Sequence, residues 1–221
     1  MQVNIMQKLL IANERKANEL RALMKEKQIL MVNLISSPGS GKTTLLEKTI
    51  PLLRAKHYRV AVIEGDVETD RDAQRLRACG APVVSITTSG ACHLESVSIE
   101  KAFDALNLDQ LDIIFVENVG NLVCPAEFDI GEDAKVALLS TPEGDDKVGK
   151  YPLLFQEAAL VILNKVDLLA FLPFKESYFE EDLSQINPHA PVIKMAAQQA
   201  MGLDSWIDWL EKATAKKKIK I

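Results

Sequence analysis

No apolar run in this chain reaches the roughly 18 residues that a bilayer span needs. The first residues also lack the basic-then-apolar pattern of a signal peptide. The reading therefore predicts a cytoplasmic protein with no membrane partner. Positive charge is not in excess: 26 Lys and Arg against 31 Asp and Glu leave a net charge of −5, which argues against a nucleic-acid surface. Cysteine is scarce. Cys79, Cys92 and Cys124 are the only three, and in the cytoplasm they stay reduced, so structural disulfides are not expected. Internal repeats and low-complexity tracts are absent. What is present, 221 residues at 48% hydrophobic content, can bury one α/β core and is too short for two full domains.

The chain is organised around Ser36-Ser37-Pro38-Gly39-Ser40-Gly41-Lys42-Thr43, entered from the apolar run Ile29 to Ile35 and left through a helical pattern, Thr44 to Lys56. Strand, glycine loop and helix N-terminus form the setting of a phosphate-binding P-loop. Gly39 and Gly41 let backbone N–H groups turn inward around an anion, Lys42 can reach the β- and γ-phosphates, and the Thr43 hydroxyl can bind Mg²⁺. Ser40 and Thr44 complete the expected phosphate cradle. Ser36 stands where the motif has its first glycine, a position that shapes the loop without a side-chain contact to phosphate.

Residues 1–28 read as a helical extension, with Ile5, Leu9, Ala12, Leu20, Leu23 and Met24 near helical spacing. Residues 29–213 form the nucleotide-binding domain, and 214–221 a basic, frayed tail. Further strands are expected at Arg59–Glu64, Val83–Ile86, Ile113–Val116, Val136–Leu139, Leu160–Leu163 and Val192–Ile193. Helices are expected over Asp70–Ala78, Leu94–Leu106, Lys175–Ile186 and Leu203–Leu210, with a kink or early break at Pro51. Apolar runs alternating with helical patterns predict an α/β P-loop NTPase: a mostly parallel sheet of about seven strands, helices on both faces, and ligands at the carboxyl ends of the strands.

Three motifs sit at such strand ends. Glu64-Gly65-Asp66 places Asp66 opposite the phosphates, to hold Mg²⁺ or orient the attacking water, with Asp70 and Asp72 competing for the second task. Glu117-Asn118-Val119-Gly120 supplies an acid for Mg²⁺ and a glycine N–H for the γ-phosphate; Asn121 follows where many GTPases have a water-positioning glutamine, which implies slow turnover by the monomer. Lys42, Asp66 and Glu117 are thus the expected catalytic set. Asn164-Lys165-Val166-Asp167 reads guanine: the Asp167 carboxylate accepts from N1–H and N2–H, Asn164 meets O6/N7, and the Lys165 stem covers the ring. Adenine lacks those donors, and a site built this way discriminates by roughly 10⁴ or more. Ala196, after the last strand, is expected to cap the base through its backbone N–H. Cys92 and His93, read as the opening of a helix, and Cys124 form a soft set suited to Zn²⁺ or Ni²⁺, one ligand short of a closed tetrahedral site. Other readings of the same residues are a small-molecule kinase, which would not need Asn164 and Asp167, and a zinc-stabilised interaction module.

Ser36 to Thr44, Glu64-Gly65-Asp66, Gly90-Ala91-Cys92-His93-Leu94, Glu117 to Pro125, Thr141 to Asp146 and Asn164 to Asp167 closely resemble the hydrogenase nickel-incorporation GTPases, the HypB family, over about Ile29 to Leu210. The resemblance implies a SIMIBI-type fold and GTP hydrolysis to GDP and phosphate. It also implies a nucleotide- and metal-dependent homodimer and delivery of Ni²⁺ to a NiFe hydrogenase large subunit with a small nickel-binding accessory protein. It strengthens Cys92, His93 and Cys124 as metal ligands. Met1 to Lys27 carries neither Cys nor His, so the N-terminal nickel motifs of some members are not expected here. A urease accessory GTPase is the nearest alternative; that family has a proline between the metal Cys and His, whereas Cys92 and His93 are adjacent.

Overall fold

The apolar run before the glycine loop forms strand β1 (Leu30–Ser36), buried at every position because helices cover both of its faces. In this computed structural model, residues 5–66, 71–88 and 90–219 are described, with side chains omitted for 5–8 and Asp66. Six more strands pair with β1: β2 (Val60–Asp66), β3 (Val83–Thr87), β4 (Ile113–Glu117), β5 (Ala134–Ser140), β6 (Leu160–Asn164) and β7 (Val192–Lys194). Their order is β3-β2-β4-β1-β5-β6-β7. Every pairing is parallel, where the sequence suggests mostly parallel. The order reverses at β1, so the crevice past its carboxyl end is a ligand site by topology.

Side chains along the strands alternate between two cores. Val32, Leu34, Phe115, Val136, Leu138 and Ile162 pack on one face with helices α2 (Lys42–Ala55), α3 (Arg71–Ala78) and α9 (Leu203–Ile219). Trp206 of α9 is buried there and donates from Nε1 to Thr49 Oγ1 at 2.9 Å. On the other face, Met31, Ile114 and Val116 meet α1 (Ile5–Glu26) and α4 (Ser96–Phe103). Ile35, Ala137, Leu139 and Val161 meet α7 (Pro152–Glu157) and α8 (Glu176–Ile186). Two single-turn helices, α5 (Cys124–Glu127) and α6 (Lys147–Lys150), complete the set.

Four local expectations change. In α1 the buried face is Asn13, Ala17, Leu20 and Met24, while Leu9 and Ala12 face solvent. Asn13 turns inward because its side chain serves α4: Oδ1 accepts from the Ser96 N–H at 2.9 Å, and Nδ2 donates to Asp129 O at 2.6 Å. Pro51 does not break α2, which continues to Ala55. The carbonyl of Glu47, which the proline leaves without its helical donor, takes the Cys79 thiol at 3.7 Å. Helix α4 starts at Ser96 and ends at Phe103, later and earlier than expected. The basic end of the chain continues α9 as far as Ile219, because Lys217 pairs with Asp133 at 2.5 Å and Lys218 with Asp112 at 3.0 Å.

Candidate functional site

The loop between β1 and α2 turns on Gly39 (φ 75°) and Gly41 (φ 107°), both in the left-handed region that glycine enters without strain. Gly41 has a second reason to lack a side chain: a methyl there would lie 2.6 Å from Asn164 Nδ2. Lys42 is buried, and its Nζ donates to Ser36 Oγ at 3.0 Å. Ser36 therefore does more than shape the loop; its hydroxyl holds the lysine. Burial pushes the Lys42 pKa down, against the pull of Glu117 and Glu143. Thr43 Oγ1 donates to Glu117 Oε1 at 2.7 Å, while Glu117 Oε2 is buried without a hydrogen-bond partner. Burial pushes the Glu117 carboxyl up, and Lys42 opposes that shift. A hydroxyl and a half-satisfied carboxylate beside the phosphate cradle are a donor set that suits Mg²⁺.

These groups open into a cavity of about 370 Å³, lined also by Glu64, Asp72, Arg75 and Gly120. Gly120 closes on the P-loop: a methyl at its Cα would lie 2.8 Å from Pro38 N and 2.9 Å from Pro38 Cα, a backbone contact that cannot yield. Of the acids expected to position water, the Asp66 side chain and Asp70 lie outside the described residues. Asp72 lines the cavity and binds Arg75 Nη1 at 2.8 Å.

The base-reading motif leaves β6 with Lys165 in the left-handed region (φ 60°). Lys165 Nζ donates to Gly39 O at 2.7 Å, so its stem lies along the P-loop. Asn164 is buried and faces inward: Nδ2 donates to Ser40 O at 2.8 Å, and Oδ1 accepts from the Ala197 N–H at 3.1 Å. It ties the phosphate loop to the loop after β7, with one amide hydrogen left over for a base. Asp167 is exposed and accepts from Gln199 Nε2 at 3.0 Å. The Ala196 N–H, expected to cap the base, instead donates to Met201 O at 3.1 Å in a small bridge and has no hydrogen to spare.

Cys92, His93 and Cys124 do converge, with one ligand atom from each lying within 4.8 Å of the others. The two sulfurs are 2.8 Å apart and unbonded, and Cys92 Sγ is 3.5 Å from His93 Nδ1. His93 packs tilted against Phe128, with ring centroids 3.9 Å apart and planes at 34°, and its Nε2 is buried without a hydrogen bond. Burial pushes the His93 pKa down, which favours the neutral imidazole that binds metal. Two thiols and one imidazole, close together and poorly satisfied, fit a soft divalent ion. Cys92 and His93 do not open a helix: they lie in the loop before α4, and Cys124 is the residue that begins a helical turn.

A family model described as CobW/HypB/UreG, nucleotide-binding domain, matches residues 30–194. The hydrogenase maturation factor HypB of Azotobacter chroococcum is 47% identical over 210 residues, 95% of this chain and 68% of that one. The chain belongs to the HypB family. The hydrogenase/urease maturation factor HypB of Helicobacter hepaticus is 43% identical over 217 residues, covering 96% of this chain and 88% of the relative. The crystal structure of HypB from Helicobacter pylori in complex with nickel superposes with a TM-score of 0.88 at 40% identity, covering 93% of this chain and 96% of that one. The seven-stranded parallel sheet is thus the P-loop NTPase fold of solved HypB structures.

Two further residues of this HypB-family chain have site roles that the sequence reading does not assign. Glu143, in the turn after β5, accepts from Ser40 Oγ at 2.7 Å and from the Ser140 N–H at 2.8 Å, and so braces the P-loop from a neighbouring strand. Asn33 sits mid-strand in β1 yet is fully buried, because it links Asn118 to Glu132. A polar residue inside an apolar run marks Asn33 in the sequence; Glu143 falls inside the Thr141 to Asp146 motif, but nothing local gives it a role.

Proposed function

We propose that this protein is a GTPase that handles Ni²⁺ for the maturation of a NiFe hydrogenase, working as a homodimer with a small nickel-binding accessory protein. The observation that carries the reading is the continuity of one short segment. Glu117, at the P-loop, and Cys124, at the soft-ligand cluster, lie on the same stretch of chain, with Gly120 between them against Pro38. The relatives named as hydrogenase maturation factors and the nickel-complexed structure support the cargo.

The chemistry is assigned as follows. GTP seats its phosphates on the Gly39–Thr44 cradle, and Lys42 exchanges Ser36 Oγ for phosphate oxygens. Mg²⁺, when bound, would neutralise phosphate charge, and Thr43, Glu117 and Asp66 are the residues that would hold it. One of the acids Asp66, Asp70 and Asp72 orients the attacking water, and Asp167, releasing Gln199, takes the guanine N1–H and N2–H. The γ-phosphate draws the Gly120 N–H inward, and the displacement reaches Cys124. Cys92, His93 and Cys124 then grip Ni²⁺ differently in the two nucleotide states, with a fourth ligand from water or a second subunit. Coupling of this kind requires a differential interaction, which the shared segment supplies.

Nickel titration of the GDP form against a non-hydrolysable GTP form, with light scattering for size, tests the reading. Different nickel affinities or different assembly states are expected; equal values in both would refute the coupling. Lys42→Ala should abolish phosphate release while leaving the circular dichroism spectrum unchanged, and wild-type turnover in that variant would remove the P-loop assignment.

A further inference from the structure

Cys92 and His93 lie on a different segment from Gly120, and their response to nucleotide needs its own connection. The structure holds one at Leu94. The Leu94 N–H, adjacent to His93, donates to Asn118 Oδ1 at 3.2 Å, and the same oxygen accepts from the Val119 N–H at 3.0 Å. Two backbone donors on one oxygen fix which way the Asn118 amide points, and Nδ2 accordingly donates to Asn33 Oδ1 at 3.2 Å. Asn118 is 1% exposed, so these bonds have no competing water. The Leu94 side chain is held as well: a methyl added at Gly65 would lie 2.8 Å from Leu94 Cγ and Cδ1, so the leucine rests directly on that backbone. Gly65 precedes Asp66 in β2, and Asn118 follows Glu117 after β4.

The far side of the loop is anchored. The Ser96 N–H and Oγ both donate to Asn13 Oδ1, at 2.9 and 2.8 Å, which pins the start of α4 to α1. A second tie, from Asn121 Nδ2 to Cys92 O at 3.4 Å, joins the loop to the segment that carries Cys124.

We infer that Asn118 and Leu94 form a joint through which the nucleotide site moves Cys92 and His93 together with Cys124. Both arms of the soft-ligand cluster are then driven by the segment between Glu117 and Gly120, and Asn118 is a positioning residue for the metal site. The inference deepens the proposed function and rests on it. When Gly120 shifts toward a γ-phosphate, Val119 and the Asn118 amide move with it. Leu94 follows through its hydrogen bond, while Ser96 stays fixed and the loop between them pivots.

The test has one readout that involves no nickel. In metal-free, ¹⁵N-labelled protein the Leu94 amide resonance is followed on exchanging GDP for a non-hydrolysable GTP analogue. It should shift in the wild type and lose that shift in Asn118→Ala. In parallel, the ratio of nickel affinities between the two nucleotide forms is measured. It should fall at least tenfold toward unity in Asn118→Ala, and also, by a smaller factor, in Leu94→Ala, which removes the contact on Gly65 and keeps the amide bond. A wild-type Leu94 resonance indifferent to nucleotide overturns the joint, as does a wild-type affinity ratio retained in both variants. A wild-type ratio of unity with a responsive Leu94 amide instead refutes the nickel coupling and leaves the joint standing as a mechanical link. Should Asn118→Ala fail to fold, Leu94→Ala carries the same two measurements.

Discussion

Asn164→Ala is the perturbation whose size follows most directly from the structure. The side chain is 2% exposed and spends its amide on two backbone groups, Ser40 O at 2.8 Å and the Ala197 N–H at 3.1 Å. Both groups belong to buried residues, Ser40 and Ala197, so truncation leaves a carbonyl and an N–H without partners. Each orphaned group costs about 1–3 kcal/mol. One edge of the P-loop opens to solvent, so the sum belongs at the lower end, about 2–4 kcal/mol, a large share of the stability of a domain whose total is about 5–15 kcal/mol. Urea unfolding followed through the buried Trp206 measures it. A loss under about 1 kcal/mol refutes the assignment of Asn164 as the tie between the two loops. GDP affinity should fall in the same variant, because the phosphate loop and the loop after β7 lose their common brace; a destabilised protein that binds GDP as the wild type does would contradict that coupling. Asn164→Asp sharpens the test. It keeps an acceptor for the Ala197 N–H but turns a carboxylate oxygen toward Ser40 O, so it should be at least as unstable as the alanine variant at neutral pH.

Cys124→Ala and Cys92→Ala should each lower Ni²⁺ affinity at least 100-fold and remove the sulfur-to-metal charge-transfer absorption of the nickel-loaded protein; retention of that band in both variants would displace the cluster as the metal site. Asp167→Asn should weaken GTP binding at least 100-fold and favour xanthosine triphosphate, since an amide can donate to a C2 carbonyl where the carboxylate needs an N2–H; competition binding with the two nucleotides decides it. Glu132 is buried beside Asp129, and burial first, then that charge, pushes its carboxyl up to about 7. A carboxyl raised above its unfolded value contributes stability that is full below about 4.5 and disappears as pH rises through about 7. Glu132→Gln should therefore flatten the decline in urea midpoint between pH 5 and 8, and an unchanged slope would show that Glu132 does not titrate there.

The parts of this fold that announce themselves are those whose cause is local. Seven apolar runs became seven strands, the central β1, β4, β5 and β6 because burial on both faces demands continuous hydrophobicity, and Gly39, Gly41 and Lys42 carry the phosphate loop in their own chemistry. The misread features have partners far away in the chain. Pro51 stays within α2, and the Glu47 carbonyl that it leaves unpaired meets the Cys79 sulfur at 3.7 Å, 32 residues along the chain. The inward face of α1 includes the polar Asn13, where helical spacing predicts Ala12, because Asn13 accepts from the first turn of a helix 83 residues later. Glu143 braces Ser40 from 103 residues away. Cys92 and His93 looked like the start of a helix, yet the chain reaches α4 only after Leu94 and Glu95. That displacement matters chemically. A thiol at a helix start would draw its thiolate character from the helix itself; here Cys92 lies outside the helix, and Cys124 starts only a single turn with its pKa pushed up, first by its hydrogen bonding with Cys92 and then by burial. The thiolate of Cys124 must then form as a cation arrives and displaces the thiol proton. Metal capture by this site should release protons, and calorimetric titrations of nickel in buffers of different ionisation enthalpy should give different apparent heats; identical heats would mean that no thiol proton leaves Cys124 when nickel binds.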